Sequence, residues 1–261
     1  MTILDKEDYG EWALITGASS GLGREFAKQL ASNGFNVILV ARSEKLLREL
    51  SKSLTTEFDI KTKVIITNLE DDKEIQNLMD ECKAVEIGLL VNCAGLALSN
   101  DFLSNSISDE INILNVNVKA PLLLTHFFGQ KMKERKRGGI IFVSSIMAFA
   151  GASTWANYNA TKSHNLVLAE GIAQELKKDN VHVLALVPGT IRTGFQKKSQ
   201  TTTVLGALEV KEVALDGLTQ LGKKRTYTSG FKNKFIAFLT RMMPRIVNTS
   251  IFSSVVEKIK K

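Results

Sequence analysis

The chain has 261 residues, 44% hydrophobic and 23% charged, the balance of an ordinary soluble globular protein large enough to bury a substantial core in one domain, here 1–261. Its first twelve residues hold four acids and no apolar run, and no stretch reaches the roughly 20 apolar residues of a membrane span, so neither a secretory leader nor a transmembrane protein is expected. The net charge of +7 is uneven: residues 222–261 carry ten Lys or Arg against Glu257 alone, a net +9 that leaves −2 for everything before them.

Short, apolar, β-branched runs recur along the chain at 12–16, 36–41, 62–67, 88–92, 139–144 and 181–187. Runs that are apolar nearly throughout suit parallel strands buried on both faces. Between them, at 22–33, 44–58, 72–83, 108–135 and 157–179, apolar residues recur at three- and four-residue spacing, the period of amphipathic helices. Strands alternating with helices predict an α/β fold: a Rossmann-type, doubly wound parallel sheet of about seven strands with helices on both faces. The pattern weakens after about Thr190, and 222–261 is expected to be a basic, helical C-terminal extension. The two cysteines, Cys82 and Cys93, lack metal-ligand spacing and fall in apolar segments, so they are expected to be free thiols in a reducing, cytoplasmic setting.

The first strand runs directly into Thr16-Gly17-Ala18-Ser19-Ser20-Gly21-Leu22-Gly23 and then a helix. Glycines let the backbone turn tightly against a pyrophosphate, and the following helix N-terminus presents N–H groups and a positive dipole end to it. A glycine-rich turn alone is common; its place between the first strand and first helix gives it weight. The second strand ends Val40-Ala41-Arg42-Ser43, without the acid that would accept from a ribose 2′-hydroxyl. Arg42 offers a planar fork for a 2′-phosphate instead, which favours NADP(H) over NAD; otherwise it is a solvated strand-end residue. Asn92-Cys93-Ala94-Gly95 closes the fourth strand with small residues, which suit a ligand above the sheet edge or simply a tight turn.

Ser144-Ser145 closes the fifth strand, and Tyr158 and Lys162 open the helix that follows. A spacing of four puts both side chains on one helical face. A phenol of pKa near about 10 is inert at neutral pH, and a neighbouring ammonium is expected to lower that value and make Tyr158 a usable general acid/base. Ser145 is suited to hold the reacting oxygen. Any amphipathic helix can carry a Tyr/Lys pair, but the chain has only three tyrosines, and this one follows a strand-end serine.

Together these residues resemble the short-chain dehydrogenase/reductase family, over about 12–193. The TGxxxGxG turn is 16–23, the NNAG element is Asn92-Cys93-Ala94-Gly95 with cysteine for the second asparagine, the YxxxK pair is Tyr158/Lys162, and the PG element is Pro188-Gly189-Thr190-Ile191-Arg192-Thr193. The resemblance implies a catalytic set of Asn117, Ser145, Tyr158 and Lys162, with Ser145 rather than Ser144 because it lies thirteen residues before the tyrosine. It implies cofactor contacts from Gly17, Ser19, Ser20, Gly21, Leu22, Gly23, Arg42, Asn68, Leu69, Asn92, Ala94, Gly95, Tyr158, Lys162, Pro188, Gly189, Ile191 and Thr193. Asn68 stands where such enzymes usually place an aspartate beside the adenine, and its amide can still donate and accept there. Asn117 would hold a water linking Lys162 to solvent.

The implied activity is interconversion of a carbonyl and a secondary alcohol, with hydride from NADPH. The alternative is an NADP(H)-binding regulatory protein without turnover. By family analogy the uncharged segment 146–155, with Met147, Phe149 and Trp155, lines the substrate pocket together with residues after Thr193, favouring an apolar ketone, a ketoacyl or a steroid-like molecule; the same side chains could equally pack the core. Ser145, Met147 and Tyr158 are the substrate contacts expected. His126, His164 and His182 read as structural, and no metal site is expected. Helices 108–135 and 157–179 correspond to those that pair in the family's dimers, so a homodimer or homotetramer is expected. The tail mixes aromatics with cations over 231–243 and reads as a lid or docked helix in preference to a peripheral membrane contact; no nucleic-acid partner is expected.

Overall fold

A computed structural model describes residues 3–192 and 207–259. Seven parallel strands form one sheet in the order β3-β2-β1-β4-β5-β6-β7: β1 Trp12–Thr16, β2 Asn36–Ala41, β3 Thr62–Ile66, β4 Ile87–Asn92, β5 Gly138–Val143, β6 Val181–Val187 and β7 Thr226–Thr228. The chain winds outward from β1 to β3, then returns to place β4 on the other side of β1. The carboxyl ends of β1 and β4 therefore flank the switch point of the sheet, where open α/β folds bind ligands.

Alternate side chains of each strand feed two cores. Ala13 and Ile15 face the helices α2 (Gly21–Ser32) and α3 (Glu44–Glu57), while Leu14 faces the side covered by α4 (Asp72–Glu81), α6 (Ala120–Glu134) and α7 (Ala156–Glu175). A short N-terminal helix, α1 (Lys6–Tyr9), buries Tyr9 under the amino edge of the sheet, where its hydroxyl meets His182 Nδ1 at 2.9 Å.

The stretch expected as one helix at 108–135 is divided. An α-helix, α5 (Ile107–Leu114), passes into a single π-turn, Asn115–Lys119, before α6 begins. Pro121 has no N–H to give the carbonyl four residues earlier, that of Asn117, so the i→i−4 ladder cannot run through. β7, only three residues long, has no counterpart in the sequence pattern; it lies inside the span expected as a helical extension. That span contributes first a sheet strand and only then two helices, α9 (Phe231–Met242) and α10 (Arg245–Ile259), while α8 (Val210–Gln220) precedes it.

Candidate active site

The phosphate end of the site is built by the turn after β1. Gly17 adopts φ +71°, and a Cβ there would stand 3.0 Å from Ala94 Cα; a Cβ on Gly23 would run into the Gly17 carbonyl. These glycines are therefore required by the backbone path, not by composition. Thr16 Oγ1 accepts from the N–H groups of Cys93 (3.0 Å) and Ala94 (3.1 Å), tying the end of β1 to the end of β4. Ser20 caps α2 in extended conformation without a side-chain hydrogen bond, and the first turn holds no acid. The N-terminal N–H groups of α2 are thus left to an outside acceptor, and the cradle fits the pyrophosphate of a dinucleotide.

Arg42 lies just past β2. Its Nη1 donates to Glu70 Oε1 at 2.8 Å, with 57% of the Arg42 side chain exposed. Asn68 Oδ1 accepts from the Glu70 N–H at 3.3 Å, so the asparagine braces the loop that carries Arg42's partner; Leu69 packs its side chain into the core. Asn92 turns its amide away from the crevice and donates to Thr125 at 3.0 Å. Gly95 faces the chemistry instead: a Cβ there would sit 3.4 Å from Lys162 Nζ and 3.5 Å from Asn117 Oδ1. Pro188 accepts from Ile146 N at 2.8 Å, and Gly189 lies against the Asn233 side chain of α9. Ile191 pairs with Leu208 in a parallel bridge. Thr193, expected at the nicotinamide amide, lies outside the described residues.

At the other end, Ser145, Tyr158, Lys162 and Asn117 come together and all are buried. Ser145 follows β5, accepts from Met147 N at 3.1 Å and hydrogen-bonds Tyr158. Lys162 Nζ donates to the Val143 carbonyl at 2.9 Å and stands 5.7 Å from the centre of the Tyr158 ring. Ser144 is structural: its hydroxyl donates to the Lys162 carbonyl at 2.7 Å and pins the start of α7 to β5.

One expectation about this cluster is corrected. Tyr158 is not brought below the ordinary phenol range: burial pushes it up to about 12, and the Ser145 hydrogen bond only partly opposes this. The cost of desolvating a phenolate outweighs an ammonium nearly 6 Å from the ring centre, and the same burial lowers Lys162 to about 8. The Asn117 side chain flanks the same spot as Lys162 Nζ, each within 3.5 Å of where a Cβ on Gly95 would stand. Its Oδ1 accepts from Leu96 N and its Nδ2 donates to the Leu96 carbonyl, both at 2.8 Å, and to Thr161 Oγ1 at 3.0 Å. Its main-chain carbonyl lacks the donor four residues on that Pro121 cannot supply. That carbonyl accepts from Asn165 Nδ2 at 2.9 Å. Sequence reasoning misses Thr16, Ser144, Thr161 and Asn165 as supporting residues; Pro121 inside a helical pattern is the available signal for the last of them.

Beside Tyr158 a cleft is lined by Leu98, Phe102, Ile113 and Trp155, with the buried carboxylate of Glu110 held by Asn105 (2.7 Å) and Asn157 (2.6 Å). Trp155 meets the Tyr158 ring edge-on at 5.2 Å, and Met147 joins the same apolar cluster. Phe252 and Val256 of α10 complete that cluster, so the C-terminal helices roof the site. Among the described residues no group of three His, Cys, Asp or Glu could hold a metal ion, and the two cysteines are free.

Residues 11–203 match the family model for short chain dehydrogenases. The chain is 30% identical to a 7beta-hydroxysteroid dehydrogenase of Clostridium sardiniense, over 88% of this chain and 89% of that protein. It is 28% identical to the inactive hydroxysteroid dehydrogenase-like protein 1 of Homo sapiens, over 74% of this chain and 59% of that one. Among solved structures it resembles a short-chain dehydrogenase from Sphingobium yanoikuyae in complex with NADPH, with a TM-score of 0.80 and 25% identity over 89% of this chain and 93% of the other.

Proposed function

This chain belongs to the short-chain dehydrogenase family of carbonyl/alcohol oxidoreductases, and we propose that it is an NADP(H)-dependent member that interconverts an apolar ketone and its secondary alcohol, with Tyr158 as the proton carrier. The observation that carries this is the joining of Tyr158, Ser145 and Lys162 in one buried cluster at the carboxyl edge of the sheet, beyond a glycine cradle shaped for phosphate. Arg42, and the absence of an acid at the end of β2, support the 2′-phosphorylated cofactor. The apolar cluster around Tyr158, with Met147 and Trp155, and the hydroxysteroid relative support an apolar carbonyl such as a steroid-like or ketoacyl compound.

Bound NADPH would supply the hydride. Tyr158 Oη is a protonated donor at neutral pH, because burial keeps its proton on. It gives that proton to the carbonyl oxygen, while Ser145 Oγ donates a second hydrogen bond to the same atom. Lys162, charged below about pH 8, stabilises the phenolate left behind. In the oxidative direction Tyr158 takes the alcohol proton back. Gly95 keeps the wall between Lys162 and the cofactor cradle open.

A nucleotide-binding protein without turnover is the rival reading, and one relative is named as inactive. The complete set of Ser145, Tyr158 and Lys162 in one buried cluster, with Ser145 hydrogen-bonded to Tyr158, favours turnover here. Ile107, Ile111 and Leu114 of α5, Leu122 of α6 and Val167 of α7 are exposed apolar side chains, which supports pairing of two copies through these helices as a homodimer or within a homotetramer. A screen of NADPH oxidation against aldehydes, ketones, diketones, ketoacyl thioesters and steroids tests the proposal. A saturable rate on a bulky ketone supports it; cofactor binding with no turnover across the panel overturns it in favour of the rival.

A further inference from the structure

The helix α9 is turned inside out relative to an ordinary surface helix. Phe231, Phe235, Phe238 and Met242, spaced four, three and four apart, fall on one stripe of it, with Ile236 and Leu239 beside them. A soluble protein normally buries such a stripe. Here the four are 86%, 58%, 59% and 70% exposed, while the helix docks on the body through the small residues Ala237 and Thr240, both buried. Ile246, in the first turn of α10, is a further exposed apolar side chain.

Cations flank the stripe. Lys232 lies to one side of it by helical position, Lys234 and Arg241 to the other, with Lys234 Nζ also donating to the Tyr227 hydroxyl at 3.0 Å, and Arg245 follows in α10. From Phe231 to Ile259 the only acid is Glu257. We propose that this face of α9 is a docking surface for an anionic lipid bilayer, with the aromatic stripe entering the interface and the flanking cations meeting the headgroups. No helix among the described residues is long and apolar enough to cross a membrane, so the contact is peripheral. A second copy of the chain is a poor occupant, because two such faces would bring like charges together. The location gives the contact a use. Arg241 stacks on Phe149 at 5.7 Å, and α10 roofs the cluster around Tyr158. A protein held by α9 thus presents the apolar cluster around Tyr158 close to the lipid surface.

The test needs no substrate and is independent of turnover. The full chain is mixed with phosphatidylcholine vesicles, with and without phosphatidylglycerol, and the bound fraction is measured by flotation at low and high salt. Binding is expected to the phosphatidylglycerol vesicles, weakened by salt. Phe235→Glu/Phe238→Glu should lose it. Lys232→Gln/Arg245→Gln, which changes two exposed side chains, should bind about fivefold more weakly for each cation removed and serves if the first variant fails to fold. No binding by the parent protein, or binding unchanged in a folded variant of either kind, would overturn the proposal. So would a smaller mass by light scattering for Phe235→Glu/Phe238→Glu without lipid, since a second copy would then be the occupant.

Discussion

Replacing Arg42 by alanine isolates the preference for a 2′-phosphate. A hydrogen bond to a charged group contributes about 1.5–3 kcal/mol. Arg42 is more than half exposed, so solvent and salt screen it and the lower end applies. About 1.4 kcal/mol is tenfold in affinity, so Arg42→Ala should weaken NADPH binding by about tenfold and leave NADH nearly unchanged. The ion pair to Glu70 sharpens the test. It uses Nη1 of a guanidinium with five N–H donors, so Glu70 orients the fork without consuming it. Yet its carboxylate would repel a bound phosphate. Glu70→Gln keeps an acceptor and removes the charge; a surface charge pair is worth about 0–1 kcal/mol, so NADPH should bind up to about fivefold tighter, with NADH indifferent. Calorimetric titration of both cofactors, at low and moderate salt, measures all of this. Equal affinity of the parent for NADPH and NADH, or an Arg42→Ala variant weakened equally toward both, would refute the reasoning.

Gly23→Ala forces a methyl against the Gly17 carbonyl, with main chain on both sides of the clash; it should destabilise the fold by about 1–3 kcal/mol in urea titrations and weaken cofactor binding as the cradle opens. Carbonyl reduction should fall as pH rises through about 8, where Lys162 loses its charge while Tyr158, held up to about 12, keeps its proton; Lys162→Arg, measured in the same pH series, should move that fall to higher pH. Light scattering at micromolar concentration should return a dimer or tetramer mass, and Val167→Glu on the exposed face of α7 should reduce it.

The strands that position the site were legible because parallel strands buried on both faces have little choice but continuous apolar runs. β7 escaped because Thr226–Thr228 is three half-buried residues without such a run. The helix over 108–135 kept its spacing on both sides of the π-turn, and only Pro121 recorded the break. In α9 the sequence showed aromatics mixed with cations, but composition carries no information about which side of a helix is covered; the docking of Ala237 and Thr240 decides that. The Tyr158/Lys162 spacing correctly predicts one shared face. It does not contain the 5.7 Å separation or the burial that set the direction of the tyrosine's shift. Likewise the asparagine at 117 was found, while its side-chain bonds to Leu96 and Thr161 depend on where the loop after β4 folds.

The central claim is that Tyr158 moves the proton. Tyr158→Phe removes one hydroxyl and leaves the ring packed against Trp155 and Phe252. The measurement is a paired one on this variant: the NADPH dissociation constant by fluorescence, and the rate on the best carbonyl found. The account predicts a dissociation constant close to that of the parent and a rate lower by about 10²–10⁴-fold, the usual contribution of general acid–base catalysis. A Tyr158→Phe protein that binds NADPH normally and keeps most of its rate would contradict it.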